Sequence, residues 1–176
     1  MKDKDFIIKL LTDEQVVAKI RQKSEQLTRI IPEIKHMMHF EHQHPHHHLD
    51  VWEHTLLALE NSNNNLKTRI SLLLHDIGKP FCYQQDGEIR HYNCHAEKSA
   101  TMAKTILERL QFDSAFINEV FEIIRRRDIP LTKSDLTKLP TLSREIFEVQ
   151  KCDALAHNPK YNQKRLDYIT RIEAML

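Results

Sequence analysis

Residues 66–80 read LKTRISLLLHDIGKP, and this stretch decides the fold. Leu66, Ile70, Leu73, Leu74 and Ile77 recur at spacings of three and four, the pattern of a buried helix face. Gly78 and Pro80 stop that helix. Working outward, Asp50 opens a preceding helix that runs to about Asn61, with Glu53 placed for an acidic capping box. The polar run NSNNN ends it. Downstream, residues 81–93 form a connection that turns at Asp86-Gly87, an irregular hairpin. Helices resume at about 94–111, 114–127, 141–157 and 160–175, punctuated by Pro130, Pro140 and Pro159. Upstream, Val16, Val17, Ile20, Leu27, Ile30 and Ile31 predict helix over about 12–30, broken near Ser24. Pro32 starts a short helix through His39, and EHQHPHHH follows as a loop. The expected fold is all-α: a single compact bundle of about seven or eight helices. Within it, N-terminal helices and the histidine-rich loop (residues 1–47) pack on a core domain formed by residues 48–176.

Composition supports this reading. A chain of 176 residues holds one core comfortably, and two glycines leave few tight hairpins for a sheet-rich fold. The formal net charge of +1 gives no argument for nucleic acid, membrane or an acidic partner. The N-terminus, MKDKDFIIKLLTDEQ, lacks the apolar run of a signal peptide. Three cysteines without a CxxC pair fit reduced thiols, so a cytoplasmic location is expected. Histidine is the anomaly: seven of the twelve fall between His36 and His48.

Four residues invite a metal. Asp153 continues the stripe Leu142, Ile146, Val149 and Ala156, so it lies on a buried helix face. A carboxylate there must be neutral, hydrogen-bonded, salt-bridged or metal-bound. Asp76, beside His75, stands at the negative end of its helix, where only a nearby cation makes an aspartate favourable. His54 faces inward with Val51 and Ala58, as a core histidine or a ligand. Taken one at a time, each has an ordinary structural explanation. Together they offer two imidazoles and two carboxylates in one small core, a set suited to one divalent Mn, Fe, Co, Ni or Zn ion.

The strings DVWEHTLLAL, SLLLHDIGKP, HAEKSA and KCDALAHNP resemble the HD-domain superfamily of metal-dependent phosphohydrolases, in the order H…HD…D. The wording is most similar to the HD region of bacterial CCA-adding enzymes, over about residues 48–160. The acidic polymerase motif of those enzymes' nucleotidyltransferase head is not found before residue 48, so only the hydrolase part carries over. The resemblance implies that His54, His75, Asp76 and Asp153 ligate one metal. It gives His95 a place lining the site or at a second metal, although a helix-start hydrogen bond also explains it. Lys79 either pairs with Asp76, reaches a phosphate or is a solvated loop residue. Members with two metals usually carry histidine where this chain has Arg127, and a guanidinium is no ordinary ligand. On its helix Arg127 continues the stripe Ile117, Val120 and Ile124, so it is expected to point inward and bind a phosphate or a site aspartate.

The implied activity is hydrolysis of a phosphoester on a nucleotide, cyclic nucleotide or RNA end by a metal-activated water. Asp76, His95 and Lys79 would serve catalysis, and Arg127 and His48 would contact a small phosphorylated substrate. The rival readings are a metal- or nucleotide-binding sensor without turnover, favoured by Arg127, and an RNA-binding accessory of tRNA maturation. The histidine-rich loop itself is expected to be flexible and to be a second metal site, a metal-storage feature or part of the substrate rim, or to bind Zn²⁺ or Ni²⁺ adventitiously.

Overall fold

The computed structural model describes residues 2–176 and is built almost wholly from helices. In chain order these are α1 (Lys2–Leu11), α2 (Val16–Gln22), α3 (Ser24–Ile30), α4 (Val51–Glu60) and α5 (Leu66–Leu74). There follow α6 (His95–Arg109), α7 (Ser114–Arg126), α8 (Lys133–Lys138), α9 (Pro140–Ala156) and α10 (Gln163–Glu173). Short 3-10 turns at Pro32–His36 and Lys79–Phe81, and a hairpin of β1 (Gln84–Asp86) with β2 (Ile89–His91), complete the secondary structure. The all-α class is as the sequence predicts, and among the described residues no helix is long and apolar enough to cross a membrane.

Among the described residues, ten α-helices replace the seven or eight expected. Helix α1 arises because Ile7, Leu10 and Leu11 form a buried stripe that the short apolar run conceals. Asp13 ends the break after it by accepting a hydrogen bond from Gln15 N at 2.8 Å. Arg69, on α5, fixes the break from inside: one guanidinium nitrogen donates to the carbonyls of Leu11 and Asp13 at 2.7 and 2.8 Å. Helix α8 is specified by Thr132 and Asp135, which form a reciprocal capping box. At α4 the box is only half made. Asp50 accepts from Glu53 N at 2.8 Å, but the Glu53 carboxylate pairs with Arg21 instead.

Helices α4 and α5 pack against α9, α5 also against α7, and α7 against α6, so three helices that carry chemistry share one wall. Gly78 determines how closely α6 approaches. Its φ of −82° is ordinary, but a β-carbon there would lie 2.7 Å from Ser99 N and 2.9 Å from Ser99 Oγ. The glycine therefore serves close packing of α6, and its own N–H donates to Ser99 Oγ at 3.0 Å. His95 lies one turn before Ser99 on the same face.

The histidine-rich segment is not a free loop. Glu41 bridges to Asp50, Val51 N donates to Phe40 O at 3.0 Å, and Asn158 N donates to His46 O at 2.9 Å. The hairpin holds it from the other side, through Arg90 N to Gln43 O at 2.9 Å and Tyr92 OH to His42 O at 2.8 Å.

Candidate metal centre

Each of three helices delivers its residue at a point where the backbone also fixes the ring or carboxylate. His54 lies mid-way along α4, His75 and Asp76 just past the end of α5, and Asp153 in the last turn of α9. All four are buried. His54 Nδ1 donates to Ala156 O at 3.2 Å and His75 Nδ1 to Leu72 O at 2.6 Å, which turns both Nε2 lone pairs inward.

The inward atoms converge. His54 Nε2 lies 2.9 Å from Asp153 Oδ1 and 3.8 Å from Asp76 Oδ2. His75 Nε2 lies 3.4 and 3.5 Å from the same two oxygens. Ligands about 2.0–2.2 Å from a shared ion must stand roughly 3–4 Å apart, as these do. One of the atoms, His75 Nε2, is buried without a hydrogen-bond partner, the condition that a bound cation relieves. The four residues predicted as ligands therefore fit a divalent metal, with water completing its shell.

An HD-domain family model matches residues 45–158, well over half of the chain, and spans all four of these residues. The chain belongs to the HD-domain family. It is also similar to two curated proteins named as tRNA nucleotidyltransferases. One is the CC-adding enzyme of Thermus thermophilus, 35% identical over 92 residues, 48% of this chain and 21% of that protein. The other is the A-adding enzyme of Deinococcus radiodurans, 30% identical over 96 residues, 51% of this chain and 22% of that protein. The match thus spans about a fifth of the length of each relative.

Around the HD residues stand cations. Lys79 Nζ forms an ion pair with Asp76 Oδ2 at 2.8 Å, and Arg127 donates to Asp76 Oδ1 at 2.7 Å. Arg127 is 4% exposed, so it points inward as its stripe predicts. His95 sits farther out, its Nε2 3.3 Å from Asp128 Oδ2 and 4.0 Å from Asp76 Oδ1, while its Nδ1 meets Tyr92 O. The helix-start hydrogen bond and the place beside the site are both real. His48, expected to contact substrate, is exposed and does not line the cleft, whereas His44, His46 and His47 do.

Sequence reading also missed His42, His47, His157 and Asp128. His42 and His47 stack flat, their centroids 3.7 Å apart, directly above the centre. His157 follows Asp153 by one helical turn, and with Asp153 and His54 it makes a second group whose ligating atoms lie within 4.8 Å of one another. That i, i+4 spacing was the available signal.

Electrostatics keep the site in its metal-binding form. Burial would raise the Asp76 carboxyl, but His75, Lys79 and Arg127 outweigh it and hold the group well below the usual range. Burial opposes Asp153 likewise and is outweighed by His157, His54 and His75. Burial pushes His42 down to about 3 and His157 to about 4, and it lowers His54 and His47 too. These imidazoles are therefore neutral at pH 7, the state that ligates metals. Of the four residues, Asp153 lines an adjoining cleft of about 700 Å³ whose walls include Lys79, Arg90, Arg127, Lys164, Arg165 and Arg171.

Proposed function

We propose that the protein is a metal-dependent phosphohydrolase acting on a small phosphorylated substrate such as a nucleotide, a cyclic nucleotide or an RNA-end phosphoester. One observation carries the reading: Asp153 of the four-residue metal centre, with the Asp76 partners Lys79 and Arg127, lines a cleft that gathers six cationic side chains, in a protein of net charge +1. Cations are gathered where a phosphate would enter, against a near-neutral whole. The names of the two relatives make RNA ends one of the substrates to test.

The residues divide the work. His54, His75, Asp76 and Asp153 would hold the ion. When bound, such a metal supplies an acidified water and polarises a phosphoryl oxygen. Arg127 fixes Asp76 Oδ1, leaving Oδ2 to face the two imidazoles, and its charge lies at the cleft floor. Lys79 adds a second positive charge on that oxygen's side, and both favour a phosphate that gains charge in the transition state. His95, paired with Asp128 beside the cleft, would supply a proton to a departing oxygen.

The test is a panel of phosphomonoesters, cyclic nucleotides and RNA 3′ ends, run on metal-freed protein with Mn²⁺, Co²⁺, Ni²⁺ or Mg²⁺ restored. The expected result is hydrolysis that requires metal and disappears in Asp76→Ala. A sensor without turnover is the second reading, favoured by Arg127 standing where two-metal members carry a ligand. Tight metal and nucleotide binding with no product on any panel member would select it.

A further inference from the structure

The wiring of His42 repeats that of the two histidine ligands. Its Nδ1 lies 2.9 Å from Leu49 O, and a carbonyl accepts only from an N–H, so the lone pair belongs to Nε2. His54 and His75 are set the same way against Ala156 O and Leu72 O. Nε2 of His42 is buried without a hydrogen-bond partner, in a residue 1% exposed. It points at the carboxylate oxygen that the other two face: Asp76 Oδ2 is 3.8 Å from His42 Nε2, 3.8 Å from His54 Nε2 and 3.5 Å from His75 Nε2. Three lone pairs thus surround one oxygen at the separations expected of neighbours on one ion.

The segment that carries His42 is built to place it. Gln43 takes a φ of 48° and His39 a φ of 60°, backbone angles that non-glycine residues rarely adopt. The Tyr92 hydroxyl holds the His42 carbonyl, and His47 covers the outer face of the ring. The other histidines of the run behave differently. His39 and His48 are exposed, His44 and His46 line the outer cleft, and His47 Nε2 meets Lys79 Nζ at 3.5 Å.

We propose that His42 is a fifth protein ligand, so that the centre binds its metal through three imidazoles and two carboxylates. The proposal rests on the metal-centre reading above and adds what it lacks, a ligand from outside the three core helices. Five protein ligands leave one open position in an octahedral shell. That arrangement suits Mn²⁺, Fe²⁺, Co²⁺ or Ni²⁺ better than tetrahedral zinc.

The experiment counts imidazoles. Untagged protein, stripped of metal and given less than one equivalent of Ni²⁺, is examined by X-ray absorption at the nickel edge, and affinity is read by competition with a chelating dye. Three imidazoles per nickel are expected in the wild type and in His39→Ala, and two in His42→Ala. Affinity in His42→Ala should fall about 10–100-fold. His42→Gln, which keeps more of the volume, should also show two and covers the case in which the alanine variant fails to fold. Two imidazoles in the wild type, or three retained in His42→Ala or His42→Gln, would overturn the proposal while leaving the metal centre standing. A wild type that takes up no nickel, manganese, iron or cobalt would overturn the centre and the fifth ligand together.

Discussion

Arg127 shows how one side chain couples stability to chemistry. Its guanidinium is buried, donates to Asp76 Oδ1 at 2.7 Å and lies 3.7 Å from Asp128. The surrounding carboxylates offset the burial and keep the group charged, its pKa raised above the ordinary arginine value. Removing one member of such a pair strands the other in a dry environment, at a cost of about 3–5 kcal/mol. Arg127→Ala should lose stability on that scale in metal-free protein, measured by urea denaturation, and should bind phosphorylated substrates more weakly. A change under about 0.5 kcal/mol, the size expected of an ordinary surface substitution, would mean that the pair is not the structural link described.

Among the elements, the placing of α6 on Gly78 is the most exposed to test. A methyl group at residue 78 meets the backbone nitrogen of Ser99, and backbone cannot rotate away. Gly78→Ala should cost about 1–3 kcal/mol by overpacking and should reduce any turnover by displacing His95. Adding Ser99→Ala removes the hydroxyl but not the nitrogen, so the double variant should not recover. Helix α8 gives a prediction in pH. The Thr132 hydroxyl and backbone N–H, and then Arg126, hold Asp135 down at about 2. A carboxyl depressed in the fold contributes stability that is present above its unfolded value near ~4. That contribution is lost as pH falls through about 4 towards about 2. The stability difference between wild type and Asp135→Asn should therefore be full at pH 6 and shrink steadily below pH 4; a difference independent of pH would contradict the box. These elements also show what the sequence discloses. Stripes such as Leu66–Ile77 and Leu142–Ala156 span three turns or more, so periodicity exposes them. Helices α1 and α8 are held by one short stripe and by one pair of caps, signals too local to stand out.

At the scale of the molecule, the site is assembled from segments far apart in sequence. Asp76 and Asp153 were legible because each strains the logic of its own helix, a carboxylate at a negative helix end and a carboxylate on a buried stripe, while His54 and His75 were legible only in combination with them and through the H…HD…D order. His42 and His47 were not, since nothing local distinguishes them from their neighbours in a histidine run. Their burial comes from the bridge of Glu41 to Asp50 and from the hairpin laid over them, which are tertiary facts. The central claim is that the four helix-borne residues bind one ion. Crystals grown with Mn²⁺ or Ni²⁺ and measured by anomalous scattering test it directly. The account predicts a strong peak about 2.0–2.3 Å from His54 Nε2, His75 Nε2, a carboxylate oxygen of Asp76 and one of Asp153. Peaks confined to the outer histidines His44 and His46, with the Asp76 and Asp153 carboxylates contacted only by protein, would contradict it.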